Sequence, residues 1–130
     1  MKTLFFISLI LINNIAFAEK TNSQFDTCMD KAGGVTVNML NCIGAETQRQ
    51  DKKLNTMYQN VMKSLTNKRK EELKKTQQLW IKYRDANCDF YADPDGGTMA
   101  SILGANCVMD MTTQRAKELE GFYKLTKDAE

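Results

Sequence analysis

Gln77-Gln78-Leu79-Trp80-Ile81-Lys82-Tyr83-Arg84-Asp85-Ala86-Asn87-Cys88 holds the single tryptophan of a 130-residue chain. At 3.6 residues per turn, Leu73, Gln77, Trp80, Tyr83, Arg84, Asn87, Cys88 and Tyr91 share one face of a helix, while Asp85 and Asp89 point to solvent. A tryptophan in such a stripe belongs in a core, where its large apolar area leaves water. Arg84 on the same stripe is the anomaly. A guanidinium does not deprotonate, so covering it demands acceptors.

Working outward, Thr66-Asn67 offers a break and an N-cap before this helix, which the pattern places over about Lys68 to Tyr91. Before the break, no proline interrupts Thr36 to Leu65, and Asp51, Leu54, Tyr58, Val61 and Leu65 share a helical face. After it, Asp93-Pro94-Asp95-Gly96-Gly97 contains the only proline and reads as a turn. A third helical stripe follows Thr98, with Val108, Met111, Thr112, Arg115, Leu119 and Phe122; Gly104 is a candidate kink or division point. No segment alternates as a strand does. Short connections favour antiparallel neighbours, so the expected fold is all-α, an antiparallel three-helix bundle running up-down-up. The polar stretch Glu19 to Gly34 is expected as an N-terminal segment tied on through Cys28.

The chain begins with a short basic start, an apolar run from Leu4 to Ile12, and Ala16-Phe17-Ala18. That is the pattern of an export signal cleaved after Ala18, giving a signal over 1–18 and one domain over 19–130. The apolar run is short for a membrane span, and no cysteine follows the cleavage point to carry a lipid, so no membrane anchor is expected. Periplasmic or secreted localisation follows. The net charge is +2, and Lys2 leaves with the signal, which excludes the strong basic excess of a nucleic-acid binder.

Cys28, Cys42, Cys88 and Cys107 form an even set in an exported domain and read as two disulfides. The up-down-up topology gathers all four at one end of the bundle. Cys28–Cys42 and Cys88–Cys107 are the simplest pairing, each closing a loop of roughly 15 to 20 residues for about 3 kcal/mol; crossed pairing stays open. With no histidine and no CxxC, a zinc site has no donors, and no metal or other cofactor is expected.

Each helix carries one charge on its apolar face: Asp51, Arg84 and Arg115. If the faces converge, an Asp51–Arg84–Arg115 network fixes helix register, with Asn55 or Glu118 as a further acceptor. An anion site built from the two arginines is the functional counterpart, and it is the weaker reading. Lys68-Arg69-Lys70 with Lys74-Lys75, interleaved with Glu71-Glu72, reads as a solvated helix face. The methionines beyond Met1 read as core filler. Asp93, Asp95, Gly96 and Gly97, preceded by Asp85 and Asp89, make an acidic patch. Its spacing does not fit a calcium loop, so a solvated turn or a partner-binding loop remains. Catalysis has no support: the base for a Ser or Cys nucleophile is missing, and no catalytic or nucleotide fingerprint is present.

Leu54-Asn55-x-x-Tyr58, Gln77-x-x-Trp80-x-x-x-Arg84-Asp85-x-x-Cys88, Gly96-Gly97-Thr98, Cys107, and Thr112 or Thr113 followed by Arg115 and Leu119 form a pattern. It resembles the N-terminal domain of the LprI-like lysozyme inhibitors, from Cys28 to about Leu119. The resemblance implies a small exported bacterial helical domain that binds a protein and is not an enzyme. The implied partner is a lysozyme, another wall-degrading glycosidase, or a toxin that attacks the wall. An accessory envelope domain with no enzyme target is the second class, and an unrecognised Asp/Glu hydrolase the third. The near-neutral charge argues against strong long-range steering toward a cationic lysozyme.

Overall fold

The computed structural model describes residues 23–128, and over these it is all-α. Four helices follow one another: α1 (Gln24–Ala32), α2 (Thr36–Ser64), α3 (Asn67–Tyr91) and α4 (Gly97–Asp128). The expected signal and its cleavage point lie outside the described residues.

The three-helix expectation is corrected by α1. Ser23 starts that helix with a reciprocal capping box: its Oγ accepts from the Asp26 amide at 3.1 Å, and Asp26 Oδ2 accepts from the Ser23 amide at 3.1 Å. The helix stops at Gly33, whose φ of 58° is a left-handed value that glycine adopts without strain. Helix α1 then folds back on α2, and Cys28–Cys42 bonds the two, with Cα atoms 5.7 Å apart.

The long helices run up, down and up. Helix α4 packs most extensively on α2, which it parallels, and also on the antiparallel α3. Its buried residues recur along its whole length: Ala100, Ile102, Gly104, Met109, Thr112, Ala116 and Leu119. The core has two parts. One joins Ile43, Ile102 and Met109, with Phe25 and Met29 of α1 packed against them. The other joins Leu54, Ala116 and Leu119, with Tyr58, Leu73 and Trp80 against them. Beside the second cluster Lys53 of α2 bonds Glu120 of α4 at 2.7 Å, and Lys124 reaches the same carboxylate at 3.1 Å.

Gly104 does not divide α4, which runs unbroken from Gly97 to Asp128. A Cβ built on it would stand 2.5 Å from the Ala92 Cβ and 3.1 Å from the Ala92 Cα, so it marks where the end of α3 meets α4. The stripe on α3 is also narrower than its period implied. Leu73, Gln77, Trp80, Arg84, Asn87 and Cys88 face inward to varying degrees, but Tyr83 and Tyr91 are exposed. Met99 is 62% exposed, so not every methionine fills the core.

Candidate functional site

The turn between α3 and α4 is built by its own residues. Asp93 Oδ1 accepts from the Asp95 amide at 2.9 Å, and the Asp93 carbonyl accepts from the Gly96 amide at 3.0 Å. Gly97 opens α4 with φ of 65°, which a side chain would strain. Cys88–Cys107 closes the turn from behind, with Cα atoms 5.4 Å apart. Both local pairings are therefore formed, and no free cysteine remains among the described residues.

Around this tether lies exposed apolar surface. Phe90 is 81% exposed, and its ring meets Tyr91 edge-on at a centroid distance of 6.0 Å. Met99 and Leu103 on the first turns of α4 are exposed as well. Asn87, Tyr91, Leu103, Cys107, Asp110 and Met111 line a shallow groove of about 310 Å³. From Asp85 to Gln114 the only charged residues are Asp85, Asp89, Asp93, Asp95 and Asp110; no lysine or arginine occurs. The cations that flank this run are paired, Arg84 with Asp85 and Arg115 with Glu118. A nearly neutral chain thus carries an acidic, aromatic stretch at the α3–α4 turn, while most of its lysines fall in α2 and in the parts of α3 and α4 away from that turn. This segregation was legible in the sequence as a cation-free run, and a net-charge argument missed it.

The Asp51–Arg84–Arg115 network does not form. Asp51 is exposed and accepts from Asn55 Nδ2, one turn on, at 3.1 Å. Arg84 turns to its neighbour: Nε and Nη2 reach Asp85 Oδ1 at 2.9 and 2.8 Å, and Nη1 donates to the buried Thr112 Oγ1 at 3.4 Å. Arg115 donates from Nε to Gln77 Oε1 at 3.0 Å and from Nη1 to Glu118 Oε2 at 2.8 Å. Only the Glu118 acceptor was anticipated. The two guanidiniums meet at Trp80 instead, with Cζ atoms 5.1 Å (Arg84) and 5.9 Å (Arg115) from its ring. The cause is the central position of α4: Asp51 and Arg84 end on opposite walls of an open groove between α2 and α3.

Over residues 28–119 the chain matches the family described as lysozyme inhibitor LprI. The chain belongs to the LprI lysozyme inhibitor family. This LprI-family chain is also 39% identical over 51 residues to an uncharacterised protein of Rhizobium meliloti (strain 1021), a segment covering 38% of this chain and 37% of that protein. No solved structure matches it. An inhibitor family fits a non-enzymatic protein with a protein partner, and the two disulfides are consistent with export. Among the described residues no helix is long and apolar enough to cross a membrane, and no cluster of three or more His, Cys, Asp or Glu side chains could hold a metal ion.

Proposed function

We propose that the protein is exported, with a signal over 1–18 and a functional domain over 19–130, and inhibits a lysozyme or related wall-degrading glycosidase. Periplasmic or secreted localisation goes with this reading. The supporting observation is the tip: exposed Phe90, Tyr91, Met99 and Leu103 lie within the run from Asp85 to Gln114, which carries five aspartates and no lysine or arginine. Aromatic and methionine side chains are the residues that carry protein interfaces, and a one-signed rim steers a partner of opposite charge. Cationic lysozymes have that charge. Tethering by Cys88–Cys107 orders the surface before binding, which lowers the entropy cost of association.

The test uses purified residues 19–130 against animal-type, goose-type and invertebrate-type lysozymes and bacterial muramidases. Stoichiometric protein slows lysis of a wall substrate by at least one of them. Asp93→Asn with Asp95→Asn weakens inhibition and flattens its salt dependence, leaving the melting temperature nearly unchanged. Full lytic activity across the panel at micromolar protein defeats the reading in favour of an accessory envelope domain.

A further inference from the structure

A second surface stands apart from the tip, midway along the bundle. Helices α2 and α3 both lean on α4 and leave between them a groove of about 320 Å³. Leu54, Tyr58, Trp80 and Ile81 give it apolar lining, with the buried Gln77 among them. Planar hydrogen-bonding groups edge it: Asp51 and Asn55 on α2, Gln78 and Arg84 on α3. Asn55, Tyr58, Trp80 and Arg84 come from two separated parts of the sequence pattern, yet Asn55 is exposed and the other three are only partly covered. Tyr58 and Trp80 pack against the Leu54–Ala116–Leu119 core and also reach this open surface, so the groove offers ring surface held in place from behind.

The chemistry of the groove selects a class of ligand. Asp51 carries one negative charge and Lys74 one positive, and Arg84 is already paired with Asp85, so the lining is electrically balanced. A balanced groove makes no demand for a charged ligand. Ring surface below and carboxylate, amide and guanidinium groups at the edge suit a molecule with an apolar face and a periphery of hydroxyl or acetamido groups. The Asn55–Asp51 hydrogen bond orients both groups in advance. The volume lies within the range of small-molecule sites. We infer that the α2–α3 groove binds a neutral pyranose saccharide, its ring against Tyr58 and Trp80 and its hydroxyls on Asp51 and Asn55. This inference does not depend on a glycosidase partner, and its test involves none.

Trp80 is the only tryptophan, so intrinsic fluorescence reports on this groove directly. Residues 19–130 are titrated with chitotriose and with maltotriose, and amide chemical shifts are followed in parallel. The expected result with at least one sugar is a saturable change at millimolar concentration, in emission or in the amides of 51–58 and 77–84. Asp51 is solvent-exposed, so Asp51→Ala keeps the melting temperature while weakening binding at least about fivefold, the loss of roughly one hydrogen bond. Two results overturn the proposal: no saturable response to either sugar by both methods, or a response that Asp51→Ala and Asn55→Ala leave unchanged.

Discussion

Arg115 on α4 donates from Nε to Oε1 of Gln77 on α3 at 3.0 Å, and this pair, not an aspartate, satisfies the arginine on the inner face of α4. Gln77 is buried and the Arg115 side chain is only 13% exposed, so neither is freely rescued by water. Gln77→Leu should therefore destabilise the fold by about 1 to 3 kcal/mol in urea denaturation. Gln77→Leu combined with Arg115→Met should recover part of that loss. Asp51→Leu and Arg84→Met, which share no bond, should add to within about 0.5 kcal/mol. A larger coupling for the second pair than for the first would reverse this account.

Gly104 offers a test whose sign is informative. In an ordinary helix interior, Gly→Ala stabilises by roughly 1 kcal/mol. Here the added methyl would meet the Ala92 Cβ and backbone, and overpacking costs about 1 to 3 kcal/mol, so Gly104→Ala should lower the melting temperature. Ala92→Gly in the same chain should restore part of the loss. A rise in melting temperature on Gly104→Ala alone would mean that α3 and α4 do not approach this closely.

The disulfides can be weighed one at a time. The native protein should be four hydrogens lighter than its reduced form and should resist thiol alkylation. Replacing Cys88 and Cys107 by alanine removes a crosslink over a sequence separation of 19, a loss of about 3 kcal/mol in the chain-entropy model. Amide exchange should then rise over residues 89–97, and lysozyme inhibition should weaken as the tip loses its order. Unchanged exchange there would show that the turn orders itself.

Glu120 sets a pH dependence. Hydrogen bonds from Lys53, and then from Lys124, hold its carboxyl below the usual carboxylate range. A lowered value in the fold gives stability that is complete above the ordinary range and lost as the pH falls through the lowered one. The melting temperatures of the native chain and Glu120→Gln should therefore differ at neutral pH and converge in acid. The difference should be small and should shrink in salt, because the pair is solvent-accessible. A gap that widens in acid would place Glu120 in another role.

Much of this protein was written in local pattern. The break at Thr66-Asn67 and the turn at Asp93 to Gly97 lie beside the helix ends, although Thr66 makes no side-chain cap bond to α3. The local disulfide pairs were the simplest pairing across the turns, and the structure forms them, although the sequence left crossed pairing open. Even α1 had its signal in Ser23 and Asp26, a short capping box that a polar, small-residue composition obscured.

Periodicity told which residues share a face, but not how wide the covered part of that face is. Tyr83 and Trp80 are three positions apart on α3, yet Trp80 meets the core of α4 while Tyr83 stays in solvent. That outcome depends on where α4 crosses, and α4 can settle between α2 and α3 because Gly104, Thr112 and Ala116 allow close approach along it. The same position separates Asp51 from Arg84, hands Arg115 to Gln77 and opens the α2–α3 groove. Local sequence determined the three long helices and their breaks and favoured the local crosslinks, since each depends on neighbouring residues. Which charges meet, and which surfaces stay open to a partner, was decided by helix packing, a property of atoms distant in the chain.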